Sequence, residues 1–358
     1  MFCNINFFKI SFFVVLLFFG SFIYACTEFL IFDNNQNPFV GRSMEFEKPL
    51  YSDIVVVPKG LKKTSYINNK TRGFSWDVKY SYLGITAMGL DILCDGINEK
   101  GLSVGVLWFS DVIYPENISS DPSNSIALED LAAWFLSSFA TVEEIKTDIS
   151  KINVYFNSIP EFGGIPPIHF SIYDRSGNGI VIEYIDEKMV ISENNIKVVT
   201  NSPKFEWHLT NLREFIHLSP INNDPIKYDN FIINPMGQGT GLYGIPGDWT
   251  PPARFVRIAV LKNFAKVSKY RNENIKLGFH LLNTVDIPYG IIRTINKKNY
   301  EYTQWAIVKD LYKSKIYYKT YHDFNIHAVD LFEELKNARN KQKKIPMEGT
   351  GLMPSRYF

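Results

Sequence analysis

A chain of 358 residues with a formal net charge of +1 has length enough for a sizeable core and no electrostatic reason to bind nucleic acid. With 46% apolar and 21% charged residues it has the composition of a folded globular protein, not of a disordered one. Three cysteines are too few for a disulfide framework, and neither they nor the six scattered histidines show zinc-ligand spacing, so no metal or cofactor is expected.

The chain opens with Lys9, the apolar run Phe12–Phe19 and then Gly20 and Ser21, the order of a secretory signal. The run is too short for a membrane span. Cleavage after Ala25 removes residues 1–25, makes the protein exported (periplasmic or secreted), leaves no stable membrane span and exposes Cys26 as residue one. From there the pattern predicts a hairpin, Thr27–Phe32 and Phe39–Arg42, around a turn at 33–38. Strands are expected at Asp53–Pro58 and Gly84–Gly89, and Asp95–Gly101 reads as a turn-rich bridge into a strand at Leu102–Phe109. Helical spacing covers Ile126–Phe139, and Thr141 with Glu144 offers a capping box for a second helix ending near Ile149. A hairpin at His169–Tyr173 and Gly179–Tyr184 follows, then a strand end at Val198–Asn201 and helices at Trp207–Ile216 and Arg254–Phe264. The last strands fall at Ile287–Ile295, Thr303–Leu311 and Lys315–Thr320. Helices grouped between strand runs predict a layered α+β fold in one catalytic domain, 26–335, with 336–358 as a basic, solvated tail.

Cys26 draws attention by position. As an N-terminal residue it carries both a thiol and an α-amine whose ordinary pKa of about 7.7–8.0 suits a general base near neutrality. Two other readings stand beside it. Ile23-Tyr24-Ala25-Cys26 loosely fits a lipidation box, which would make the protein a lipid-anchored, non-catalytic binding protein of the envelope. Cys26 also reads as a buried, inert cysteine.

The stretch Cys26-Thr27-Glu28-Phe29, with Gly41-Arg42-Ser43-Met44-Glu45-Phe46 across the hairpin, resembles the choloylglycine hydrolase family, which contains penicillin V acylases and conjugated bile salt hydrolases. The resemblance continues in order through Asp95–Leu102, Thr200-Asn201-Ser202-Pro203, Trp207-His208, Thr210–Arg213, Gly237–Gly241, Pro246-Gly247-Asp248 and Ala253-Arg254-Phe255. Among its members the penicillin V acylase pattern looks nearest. The resemblance implies a four-layer αββα N-terminal-nucleophile fold and hydrolysis of a linear amide, a small-molecule substrate, with no cofactor. Carried over residue by residue, Cys26 is the nucleophile and Arg42 its neighbouring cation. Asn201 and the backbone N–H of Trp108 form the oxyanion hole, and Arg254 is the second arginine of the site. Glu45 stands where the family usually has Asp, which puts its contact with the α-amine in question. A homo-oligomer, a tetramer, is implied in the same way. Bile salts and N-acyl homoserine lactones remain alternative substrates, and Trp108, Phe109 and Phe162 are candidates for lining an acyl pocket.

Overall fold

The strand pair that begins the fold, Cys26–Phe32 and Pro38–Phe46, lacks the polar–apolar alternation of a half-exposed hairpin, and both strands are buried along nearly their whole length. Strands covered on both faces require a layer above and a layer below. The computed structural model, which describes residues 25–68, 70–117, 121–293, 300–338 and 341–347, supplies them.

The first sheet has the order Val198–Val199, Cys26–Phe32, Pro38–Phe46, Tyr300–Asp310, Lys315–Thr320, His327–Asp330, with Ile292–Arg293 also paired to Tyr300–Asp310. The second runs Lys188–Glu193, Gly179–Ile185, Ile168–Tyr173, Ser103–Trp108, Ile92–Asn98, Tyr82–Ala87, Asp53–Val57, Lys343–Pro346. Neighbours within both sheets are antiparallel. Helices Pro251–Phe264 and Arg271–Asn283 cover the outer face of the first sheet, and Leu131–Ser138 covers the second, which gives the four-layer αββα arrangement. Among the described residues no helix is long and apolar enough to cross a membrane.

Side-chain parity decides what each strand contributes. In the first hairpin Cys26 and Glu28 point between the sheets together with Arg42, Met44 and Phe46, while Thr27 and Glu45 face the outer helices. Tyr300–Asp310 carries a bulge between Thr303 and Trp305, where its register against Pro38–Phe46 shifts. The extra residue reverses the parity. Glu301 and Thr303 therefore share the outer face with Glu45, whereas Trp305 and Lys309 point between the sheets.

Four charged side chains meet in that inter-sheet space, all fully buried. Lys309 Nζ lies 2.7 Å from Asp95 Oδ1 and 3.3 Å from Glu28 Oε2, and Arg42 Nη1 lies 3.0 Å from Asp95 Oδ2. Glu28, Arg42 and Lys309 come from the first sheet and Asp95 from the second, so the network ties the sheets together at a point where apolar packing alone would not fix their register. Gly105 makes room for it: a Cβ there would stand 2.3 Å from Glu28 Oε2.

Several expectations change. Ile92–Asn98 is a strand, so Asp95 and Gly96 belong to the second sheet and the turn is confined to the residues after Asn98. Gly96 is there because a Cβ would stand 2.5 Å from Leu136 of the covering helix. Ser125–Ala127 pairs in parallel with Asn153–Tyr155, and the helix expected from Ile126 begins at Leu131. The Thr141 cap and the helix behind it, Val142–Asp148, are present. Only Ile292–Arg293 of the strand expected at Ile287–Ile295 forms, residues 294–299 lying outside the described residues. The tail expected to be solvated instead pairs Lys343–Pro346 with Asp53–Val57 and buries Met347. Residues 1–24 and 348–358 lie outside the described residues, and with them the signal segment.

Replacing Lys309 with Met leaves Glu28 buried without its cation and Asp95 with Arg42 alone. Loss of one partner from a buried pair costs about 3–5 kcal/mol. Urea unfolding of Lys309→Met is expected to show a loss of that size, and a change of under about 1 kcal/mol would mean the network does not carry the sheet–sheet register.

Candidate active site

Cys26 lies at the end of its strand, 2% exposed, opposite Met44 in the ladder. Its Sγ is 3.6 Å from Met44 Sδ and 3.8 Å from Arg42 Nη2. Arg42 reaches it from the diagonal position on the neighbouring strand, aimed by three further contacts: Nη1 donates to the Cys94 carbonyl at 2.6 Å and to Asp95, and Nη2 donates to the Val106 carbonyl at 2.5 Å. Burial works against its charge, but Asp95, Cys26 and Glu28 more than offset this and hold Arg42 above its ordinary value. It is a permanent cation beside the thiol. The thiol itself is pushed up by burial, which outweighs the opposing pull of Arg42 and Arg254. With Ala25 still attached, Cys26 is therefore a thiol and its nitrogen an ordinary amide.

Asn201 sits just after the short strand Val198–Val199. Its amide orientation is unambiguous, because Oδ1 accepts from Cys26 N–H at 2.7 Å and from Arg254 Nη2 at 2.7 Å, both donors only, while Nδ2 donates to the Trp108 carbonyl at 2.8 Å. That leaves one Nδ2 hydrogen for a further acceptor. The Asn201 carbonyl is held at 2.8 Å by His208 Nε2. Burial keeps His208 down at about 4, so the ring is neutral and Nε2 carries its hydrogen toward Asn201.

Arg254 enters from the first turn of Pro251–Phe264, a helix started by Pro251 and capped by Thr250, whose hydroxyl accepts from Ala253 N–H. Fully buried, it donates to the Cys26 carbonyl and to Thr27 Oγ1, each at 2.6 Å, and to the Trp249 carbonyl at 2.9 Å. Burial lowers it, against the opposing effect of Glu45 and Glu301.

The structure thus brings Cys26, Arg42, Asn201, Arg254 and Trp108 together. Glu45 is near but engaged differently from the expectation. Its Oε1 accepts from Thr303 Oγ1 at 2.8 Å, and its backbone N–H, not its carboxylate, contacts residue 25, donating to the Ala25 carbonyl at 3.0 Å. The carboxylate that touches residue 25 is Glu301, which accepts the Ala25 N–H. Sequence reasoning did not find Glu301, His208 as an orienting group, or the Glu28–Asp95–Lys309 network. Glu28, Asp95 and His208 stood within quoted motifs, whereas nothing local marks Glu301 or Lys309.

An apolar cavity of about 60 Å³ runs between the sheets from Cys26. Phe46, Trp108 and Phe162 form a cluster in its wall, with ring centroids 5.9 to 6.5 Å apart. Phe109 lies outside it, stacked at 5.0 Å on the ring of His169 in the core. Among the described residues no group of three or more His, Cys, Asp or Glu is arranged to hold a metal ion.

Glu45 and Glu301 also make a pH prediction. Burial raises Glu45 to about 7 and Glu301 to about 8, with Arg254 pulling both down, Glu45 pushing Glu301 further up, and Asp286 and Glu47 adding smaller repulsions. The folded chain therefore holds protons that unfolded carboxyls, near 4.5, have released. Stability from this pair is fully present below that value and is lost as pH rises through 7 and 8. In protein that retains Ala25, the Glu45→Gln/Glu301→Gln double variant is expected to lose less stability than the wild type between about pH 5 and pH 8. Parallel urea midpoints across that range would contradict the assignment.

Residues 26–343 match the family of linear amide C–N hydrolases, choloylglycine hydrolase family. The bile salt hydrolase/transferase of Clostridium perfringens is 34% identical over 300 residues, 82% of this chain and 88% of that protein. The crystal structure of a variant of the C. perfringens conjugated bile acid hydrolase superposes with a TM-score of 0.80 at 30% identity, covering 92% of this chain and 100% of that one. Penicillin V acylase from Agrobacterium tumefaciens gives a TM-score of 0.74 at 25% identity, covering 91% and 93%. Both measures are higher for the bile acid hydrolase, against the expectation that the acylase pattern is the nearer. The fold is that of the N-terminal-nucleophile hydrolases, and the chain belongs to the choloylglycine hydrolase family of linear amide C–N hydrolases.

Proposed function

We propose that this enzyme is an exported amidase that uses Cys26, freed as residue one, to hydrolyse amides of slender apolar acyl groups, phenoxyacetyl amides such as penicillin V among them. The observation that carries the reading is the convergence on Cys26 of a fixed cation at 3.8 Å, an oriented Asn201 amide and an apolar cavity that Cys26 itself lines.

The amide nitrogen of the Ala25–Cys26 bond has its lone pair delocalised and is no base. Removal of residues 1–25 converts it into an α-amine that takes the thiol proton, and Arg42 stabilises the resulting thiolate. The thiolate attacks the substrate carbonyl, and the remaining Nδ2 hydrogen of Asn201, with the Trp108 backbone amide that the resemblance adds, receives the developing oxyanion. Arg254 and His208 hold Asn201 in that orientation. The protonated amine gives its proton to the leaving nitrogen, and water then cleaves the thioester at Cys26. Glu45 and Glu301, which contact Ala25, are the carboxyl groups we place beside the new ammonium.

The apolar lining of the cavity, with the rings of Phe46, Trp108 and Phe162 in its wall, supports an aryl or alkyl acyl group. The greater likeness to the C. perfringens enzyme favours conjugated bile salts as the second reading. A panel of penicillin V, glycocholate and a long-chain N-acyl homoserine lactone separates them, with preference for glycocholate overturning the ranking.

Intact mass and N-terminal sequencing of protein recovered from cells expressing the whole chain are expected to show an unmodified Cys26 at the start. A diacylglyceryl adduct, or retention of residues 1–25, removes the free amine and sinks the mechanism in favour of an anchored binding protein. Cys26→Ala is expected to abolish turnover. Asn201→Ala is expected to lower kcat by about 10²–10³-fold, the effect of one oxyanion donor. Residual activity of Cys26→Ala near wild type would refute the nucleophile.

A further inference from the structure

The acyl cavity is apolar except at one place. Its walls are Met44, Phe46, Leu93, Trp108 and Ile168 among others, and among the described residues the one carboxyl side chain that lines it is Glu129, in the short helical turn Leu128–Asp130. Carboxyl groups are placed against apolar surface only at a cost, which grows with each polar atom left without a partner. One oxygen of Glu129 is satisfied: Oε1 accepts from Asn157 Nδ2 at 2.7 Å. Buried Oε2 has no hydrogen-bond partner among the described residues. Asn157, 2% exposed, repeats the pattern, since its Nδ2 also donates to the Tyr66 carbonyl at 2.8 Å while its buried Oδ1 is unpartnered. Neighbouring Asp130 does not share this condition, because its Oδ2 accepts from Ser65 Oγ at 2.6 Å. Two mutually bonded side chains, Glu129 in the cavity wall and Asn157 behind it, thus each carry a buried oxygen without a partner among the described residues.

We propose that Glu129 is a specificity-determining residue of the acyl site, hydrogen-bonded through Oε2 to a hydroxyl group carried on the acyl chain. A hydroxyl fits better than an ammonium group. Among the described residues the cavity wall offers no second anion to replace a cation's hydration, and burial holds the Glu129 carboxyl up at about 7, so that much of it is neutral at physiological pH. Asn157 fixes the rotamer by gripping Oε1, which leaves Oε2 to accept from the hydroxyl when the carboxyl is ionised and to donate to it when protonated; a hydroxyl serves either way. The plain alkyl chain leaves this oxygen unmatched, and a site built to bond a hydroxyl discriminates against ligands that lack it.

The inference rests on the reading of this cavity as the acyl site of a Cys26 amidase. Its test uses decanoyl amides of one amine, the plain chain and a series in which a single hydroxyl is moved along the chain. In the wild-type mature enzyme one position of the hydroxyl is expected to raise kcat/KM about tenfold over the plain chain, the size of one good hydrogen bond to a carboxyl group. In Glu129→Leu that ratio is expected to fall to about one or below. A wild-type series in which no hydroxylated chain is preferred overturns the proposal whether or not the variant folds, as does a preference that survives in Glu129→Leu. The same amides titrated onto the Cys26→Ala protein report binding without turnover. Failure of hydrolysis by the wild type therefore counts against the Cys26 mechanism, and equal affinity of plain and hydroxylated chains counts against Glu129.

Discussion

The buried ion network of Glu28, Lys309, Asp95 and Arg42 is the constraint around which the rest is arranged. Two cations and two carboxyl groups balance in a fully buried space, so removing any one upsets the charge balance. Asp95 is the pivot, since it takes Lys309 on one oxygen and Arg42 on the other. Through it the second sheet sets the direction of an arginine that belongs to the first. The position of the cation beside Cys26 is thereby decided by how the two sheets sit on each other. Catalytic geometry and sheet packing are one problem here.

A second, smaller arrangement surrounds residue 25. Ala25 is 1% exposed, its N–H is taken by Glu301 and its carbonyl by the Glu45 backbone. The segment entering the site is therefore gripped by the same strands that form it. Burial of two carboxyls in one neighbourhood raises both, Glu45 to about 7 and Glu301 to about 8, so the site beside Ala25 stores protons. The Glu at position 45, one methylene longer than the usual Asp, has its carboxylate drawn to Thr303, and Glu301 stands in the direct contact.

Much of this was legible in the sequence because it is local. The first hairpin, the His169–Tyr173 and Gly179–Tyr184 hairpin, the Thr141 cap and the proline start of the Arg254 helix follow from turn and cap chemistry over a few residues. What was misread was tertiary in origin. Gly96 looked like part of a turn, but it is glycine because Leu136 packs against the strand, and no neighbour in sequence says so. Ile126 looked helical because apolar spacing does not distinguish a helix from a short parallel bridge to Val154. Glu301 and Lys309 were invisible for a stronger reason: the groups they bind, Ala25 and Glu28, are 276 and 281 residues away along the chain.

The bulge between Thr303 and Trp305 gives one strand two allegiances. Residues before it serve the entry side of the site, with Glu301 and Thr303 beside Glu45, and residues after it serve the interior, with Lys309 at the ion network. The phase difference between the halves is a single residue, and it is as necessary to the enzyme as any side chain. A deletion at Gln304 that restored a regular ladder would keep every amino acid in the site and still turn either the lysine or the two acidic-site residues to the wrong face. The strand therefore tolerates change by substitution far more readily than by length: its information is kept in counting as well as in chemistry.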